Sequence, residues 1–107
     1  MAKNSNNQCG SKLPTSIKDD PIEDLGMLAK ALGHPARITI LKILTEKGTC
    51  LTGSLAEELP LAQSTVSEHL RILREAGLVQ GTVDGPKRCY CVNRKTIDYM
   101  KALVNEL

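Results

Sequence analysis

Phenylalanine and tryptophan are absent from this 107-residue chain, and it holds only two tyrosines. Any core must therefore be built from Leu, Ile, Val, Ala and Met, a composition suited to helices packed on helices. No apolar run approaches the roughly 20 residues needed to span a bilayer, so no membrane partner is expected. The opening stretch, MAKNSNNQCGSKLPTS, lacks the apolar centre of a secretory signal. A cytoplasmic location is expected, where stable structural disulfides are rare. There is no Gly-rich phosphate loop, no Ser-His-Asp arrangement and no carboxylate pair in an evident cleft. Neither histidine, His34 nor His69, is evidently placed to activate a cysteine. These absences argue against an enzyme. The net charge of +2 is too small to name a polyanionic partner by itself, so the positions of the cations matter more than their sum.

What is present reads as one small domain. Residues 1–20 are polar, without periodicity, and read as a disordered arm. Residues 21–107 carry the periodic pattern. Pro21 opens a segment with Leu25, Leu28, Ala29 and Leu32 at helical spacing, closed near Gly33. A second helix runs from Pro35 towards Gly48, with Ile38, Leu41, Ile43 and Leu44 as its apolar face. TCLT, residues 49–52, suggests a brief strand. GSLAEELP, residues 53–60, suggests a two-turn helix with a Ser54–Glu57 capping box. In LAQSTVSEHLRILREAG, Val66, Leu70 and Leu73 line one face with Ile72 beside them, and Gly77 supplies the stop. Gln63, Ser64, Thr65, Ser67, Glu68, Arg71 and Arg74 occupy the opposite face. Two strand-like segments then flank a turn at Asp84-Gly85, and a last helix carries Ile97, Met100, Leu103, Val104 and Leu107.

The expected fold is mainly α with a small β-sheet, in the order helix-helix-strand-helix-helix-hairpin-helix. A short helix, a tight turn and a polar-faced helix form a helix-turn-helix, and the following hairpin is a wing. Through ALGHPARITILKIL, LAEELPLAQSTVSEHLRILREAGLV and the wing strand GPKRCYCVN, the chain resembles winged helix-turn-helix repressors of the ArsR/SmtB type. The resemblance covers roughly residues 22–107 and implies a repressor of transcription that binds double-stranded DNA. Gln63, Ser64, Thr65 and Ser67 are then placed to read base edges at the start of the recognition helix. Arg71 and Arg74 lie farther along it, with Lys87 and Arg88 beside the wing turn to grip phosphates. His69 falls in the same helix, in contact with the DNA backbone or in packing, and His34 caps or packs at a helix boundary. The family dimerises through its first and last helices to read a palindromic operator. That implies an interface of Leu25, Leu28, Ile97, Met100, Leu103 and Val104. A protein-interaction module without DNA binding is the alternative reading of the same fold.

Many relatives release DNA when a metal, metalloid or oxidant binds, while DNA binding itself needs no cofactor. Two family site types do not fit this chain. The last helix offers Asp98 and Glu106 but no histidine, and GSLAEEL lacks the Cys-x-Cys pair of the arsenic repressors. Cys50, Cys89 and Cys91 remain. In a winged helix the short strand pairs with the returning wing strand, which brings Cys50 beside the Cys-x-Cys strand. Three thiolates suit As(III) or Sb(III). Cd(II), Pb(II) and Zn(II) are the other candidates, and Cys9 on the arm could complete a four-ligand set. Two other readings stay open: cysteines that are simply structural, and a redox switch using a disulfide between Cys50 and a wing cysteine.

Overall fold

The computed structural model describes residues 12–47, 50–51, 59–84 and 87–107. Within them the elements are α1 (Pro21–Leu32), α2 (Pro35–Lys47), β1 (Cys50–Leu51), α3 (Gln63–Ala76), β2 (Val79–Asp84), β3 (Lys87–Val92) and α4 (Arg94–Asn105). The fold is mainly helical with one small antiparallel sheet, as the aliphatic composition implied. Most of the expected helix over 53–60, including the Ser54–Glu57 box, lies outside the described residues, as does Gly85 of the wing turn.

Local chemistry accounts for the helix ends. Asp20 caps α1, its side chain accepting from the Glu23 amide at 3.3 Å, with Pro21 in the first turn. His34 Nδ1 accepts from the Ala36 amide at 3.0 Å and so caps α2. Asn93 caps α4 by accepting from the Thr96 amide at 3.3 Å. The end of α3 is a left-handed turn. Gly77 has φ 87°, and the Leu78 amide reaches back to the Leu73 carbonyl at 3.0 Å. A Cβ on Gly77 would also collide with Pro14 and Ser16, so both conformation and space demand glycine there.

The core joins Leu28 and Ala31 of α1, Ile40, Leu41 and Leu44 of α2, and Val66, Leu70, Leu73 and Ala76 of α3. Leu78, Val79 and Val92 close it from the sheet side. In α2 the buried stripe is Ile40, Leu41 and Leu44; of the expected face Leu41 and Leu44 are buried, Ile43 is half-buried against the core, and Ile40 takes the place given to Ile38. Ile38 is 47% exposed. At roughly 100° per residue, Ile38 and Ile43 fall about 110° to either side of that stripe. Five aliphatic residues in seven positions leave the sequence pattern without a sharp direction. The strands order β1-β3-β2, all antiparallel, with Cys50 opposite Cys89 and Leu51 opposite Arg88. Across the wing, Thr82 faces Cys89 and Gln80 faces Cys91.

Residues 12–20, read from sequence as part of the polar arm, run as a strap over the end of α3 and the start of α4. Ser16 Oγ donates to the Ala76 carbonyl at 3.0 Å, and Asn93 Nδ2 donates to the Lys12 carbonyl at 3.1 Å. Ile17 packs on the core. The strap's strongest anchor is Asp24, 1% exposed, whose carboxylate accepts from the Lys18 amide (2.9 Å), the Asp20 amide (3.1 Å) and the Tyr99 hydroxyl (2.6 Å). Burial pushes the Asp24 pKa up, but these hydrogen bonds outweigh it and hold the group below the ordinary carboxylate value. The same bond, with burial, raises the Tyr99 hydroxyl to about 12.

Removing this acceptor should leave buried donors without partners. Asp24→Ala is expected to lower unfolding free energy by about 3 kcal/mol, and Tyr99→Phe by roughly half that, in urea titrations. Because Asp24 titrates lower when folded than when unfolded, its contribution is fully present above the ordinary value of 3.8 and is lost as pH falls through the folded one. That acid-sensitive component should be missing from Asp24→Ala.

Candidate nucleic-acid interface

The amphipathic pattern of α3 turns one face inward and leaves the other to solvent. Val66, His69, Leu70, Leu73 and Ala76 are buried. Gln63, Ser64, Thr65, Ser67, Glu68, Arg71 and Arg74 are all exposed. The helix therefore presents short polar side chains at its N-terminal end and two guanidinium groups farther along. Short side chains let a helix approach base edges closely, and guanidinium groups suit phosphates.

The charge on that face is not simply positive. Arg71 forms ion pairs with Glu68 and with Glu75 (2.8 Å), both across exposed side chains. These hydrogen bonds raise the Arg71 pKa and keep the guanidinium charged, and the Arg71 bond lowers that of Glu68. Exposed pairs of this kind contribute about 0.2–1 kcal/mol each, so Arg71 could leave them for a phosphate at small cost. Arg74 has no ion pair among the described residues. Two cations against two carboxylates leave little net field on the helix. Lys87 and Arg88, the first two residues of β3, are the next cations along the chain. The backbone places them beside the wing turn; their side chains lie outside the described part of the structure.

His69 does not share the exposed face. It is buried, and its Nδ1 accepts from Arg37 Nε at 3.1 Å while its ring lies 4.5 Å from that of His34. Arg37 also donates to the carbonyls of Lys30 (3.3 Å) and Ala31 (3.0 Å). One guanidinium thus pins the end of α1 and the inner side of α3. Sequence reading missed this buttress. The available hint was a cation standing among the aliphatic residues of ARITIL.

Of the expected interface residues, Leu28 is fully buried in the chain's own core and is not available to a partner. Leu25, Ile97, Met100 and Leu103 are half-buried, while Val104 is 51%, Leu107 93% and Ile22 83% exposed. These exposed residues, on α1 and at the end of the chain, give the two helices apolar surface open to solvent.

Among the cysteines, the register sets Cys50 against Cys89, with Cys91 two residues along β3. Cys91 is buried and disulfide-bonded. The side chains of Cys9, Cys50 and Cys89 lie outside the described part of the structure. Among the described residues no three His, Cys, Asp or Glu side chains gather into a metal-binding group. A cavity of about 490 Å³ lies among Met27, Lys30, Arg37, Ile72 and Glu75, with no sulfur donor from cysteine on its wall.

A family model described as "Bacterial regulatory protein, arsR family" matches residues 34–80, a span that takes in the whole of α3. A Methanocaldococcus jannaschii protein, an uncharacterized HTH-type transcriptional regulator, is 35% identical over 85 residues, 79% of this chain and 96% of its own length. The chain belongs to the ArsR family. The HTH-type transcriptional regulator CmtR of Mycobacterium tuberculosis is 43% identical over 68 residues, 64% of this chain and 57% of CmtR. A solved structure titled "possible transcriptional regulator for arsenical resistance" superposes with a TM-score of 0.66 at 31% identity, over 75% of this chain and 81% of that one.

As an ArsR-family member the chain is a helix-turn-helix regulator of transcription, not an enzyme. No helix among its described residues is long and apolar enough to cross a membrane. The matched region begins at the His34 cap and ends in β2, so the Cys-x-Cys strand lies beyond it.

Glu75→Gln should free Arg71 from one ion pair and remove a negative charge from the exposed face, strengthening DNA binding about threefold or more in gel-shift titrations at low salt. Arg74→Ala should weaken binding and reduce the salt slope by about one unit. A separate test concerns the buttress. Burial, then the electrostatic influence of neighbouring His34 and Arg37, lowers the His69 pKa below 6.5. Its contribution to stability is therefore present above pH 6.5 and is lost as pH falls towards the folded value. His69→Gln should flatten that part of a stability-versus-pH curve.

Proposed function

We propose that this ArsR-family regulator is a cytoplasmic homodimeric repressor that reads a palindromic operator and is released by a thiophilic metalloid, As(III) or Sb(III). Cd(II), Pb(II) and Zn(II) are the secondary candidates. The observation that carries the inducer reading is the register of the sheet: Cys50 stands opposite Cys89, and Cys91 follows on the same strand. Directly opposed residues carry Cβ atoms about 4.5–5.5 Å apart, and positions two apart on a strand share a face. Such a set of soft donors fits a three-coordinate, thiophilic centre when all three are thiolates. Cys9 would supply a fourth donor for an ion that needs one. The similarity to the regulator titled for arsenical resistance supports the same choice.

For DNA, Gln63, Ser64, Thr65 and Ser67 would read bases, and Arg71, Arg74, Lys87 and Arg88 would hold phosphates. His69 acts from behind the helix rather than on the DNA. For the dimer, the exposed Ile22, Val104 and Leu107 extend the surface formed by Leu25, Ile97, Met100 and Leu103. Leu28 contributes only by stiffening α1. One domain contacts too little DNA for tight binding, which is the physical reason for a two-fold partner.

A second reading, a repressor responding to thiol oxidation, is favoured by the disulfide at Cys91. The two readings separate experimentally. With reduced protein, arsenite should release operator DNA, and Cys50→Ser, Cys89→Ser and Cys91→Ser should each bind DNA normally but resist arsenite. Release of the Cys89→Ser, Cys91→Ser double variant by arsenite would discard the trithiolate. Release by peroxide alone would favour the redox reading. For assembly, Val104→Asp places a charge on a surface open in the single chain, so the fold should survive. Sedimentation should show monomer, with operator affinity reduced by about tenfold or more as the two half-sites uncouple.

A further inference from the structure

The cavity of about 490 Å³ serves neither the outer face of α3 nor the cysteines. It lies where α1, the first turn of α2 and α3 meet. Met27 and Ala31 of α1 and Ile72 and Ala76 of α3 give it an apolar wall. Its size falls within the range of small-molecule pockets, about 300–1,000 Å³, towards the lower end.

Charge gives the cavity a sign. Lys30, Arg37 and Glu75 are its ionised residues. Glu75 is already balanced, its Oε2 accepting from Arg71 Nη1 at 2.8 Å. Lys30 is exposed and has no ion pair among the described residues. Arg37 is half-buried, and its bonds can be followed atom by atom. Nε donates to His69 Nδ1, and Nη1 donates to the carbonyls of Lys30 and Ala31. A guanidinium carries five donors, so both N–H groups of Nη2 are left without an acceptor among the described residues. The three bonds also hold the guanidinium in place before any ligand arrives, which lowers the entropic cost of binding. The excess charge at the cavity is therefore positive, and part of it is pre-oriented.

We propose that this cavity binds an aliphatic monocarboxylate, its head group on Arg37 Nη2 and Lys30 and its chain between α1 and α3. A carboxylate is a strong acceptor for a guanidinium and an ammonium. Among the described residues no aromatic ring, hydroxyl or amide side chain lines the cavity, so nothing there stacks on a planar ligand or reads a hydroxylated one. Met27 is unbranched and adaptable, which suits a flexible acyl chain. A second negative charge on the ligand would meet the Glu75 carboxylate, so one charge is favoured over two. The cavity is also separate from the surface proposed for a partner. At about 100° per residue, Met27 lies about 140° round α1 from the exposed Ile22. The proposal uses no cysteine and stands or falls apart from the metalloid reading.

The test titrates sodium octanoate into the reduced full chain by calorimetry, with thermal unfolding as a second readout. Saturable binding is expected, with a Kd below about 1 mM and a Tm that rises with octanoate concentration. Octanamide keeps the chain without the charge, and acetate keeps the charge without the chain. Each should bind at least about tenfold more weakly than octanoate. Lys30→Glu changes an exposed position, so the fold should survive while octanoate binding falls about tenfold. Arg37→Gln should weaken binding further; should it fail to fold, Lys30→Glu and octanamide still decide. Val104→Asp alters the exposed apolar surface instead and should bind octanoate as wild type does. Octanamide binding as tightly as octanoate would overturn the proposal, as would unchanged affinity in Lys30→Glu. Loss of binding in Val104→Asp would place the chain on the outer surface and overturn it too. So would the absence of any saturable heat or rise in Tm.

Discussion

A buried carboxylate without a neighbouring cation among the described residues is the constraint on which much of this molecule depends. Asp24 is satisfied by two backbone amides from the strap and one hydroxyl from α4. Leaving any of these donors unmatched in the interior would be costly, so strap, α1 and α4 are committed to one arrangement. That commitment holds α4, with its half-buried Leu103 and exposed Val104, against α1 and the strap. It also fixes the path of the strap from Lys12 past Asn93 to Asp20. The apolar surface proposed for a partner therefore depends on an anchor that is neither a contact with DNA nor a sulfur atom.

The recognition helix is held by a different logic. Its outer face carries side chains that lose little by moving from water to a groove, while its inner face is fastened by packing and one polar contact. Arg37 can donate to His69 only while Nδ1 of that ring is unprotonated. The helix is thus buttressed by a neutral histidine whose ring lies tilted against a second one. At the far end, Gly77 turns the chain directly into β2, so helix and wing are joined with almost no slack.

Much of this was legible in the sequence because it is written in periodicity and punctuation. Pro21, Pro35 and Gly77 mark boundaries the structure keeps, and the polar run from Gln63 to Arg74 lies on the solvent face. What escaped was whatever depends on contacts between distant segments. Asp24 looks like an ordinary first-turn acid until Tyr99, 75 positions away, is placed against it. His69 reads as part of a polar helix until Arg37 reaches it from α2. The strap has no periodicity because it makes no regular element; single hydrogen bonds to Ala76 and Asn93 hold it. In α2, by contrast, the error was one of excess, since too many aliphatic residues blur the direction of the buried stripe.

The thiol chemistry returns to the same junction. β3 is the central strand, paired with β1 on one side and β2 on the other, and its first residues are Lys87 and Arg88. A ligand drawn between β1 and β3 therefore acts on the strand that carries the wing's cations. A ligand can shift the regulator only by the difference in its affinity for the bound and released geometries. A modest coupling of about 1–3 kcal/mol suffices for a 5- to 150-fold change in operator affinity. Little displacement of β3 is needed to reach that range, because every phosphate that a cation abandons takes its counterions back from solution. A disulfide at Cys91 would act on the same strand from its other end. Two chemical inputs could then act on one strand without a second sensing domain, provided that each occupies Cys91 to the exclusion of the other.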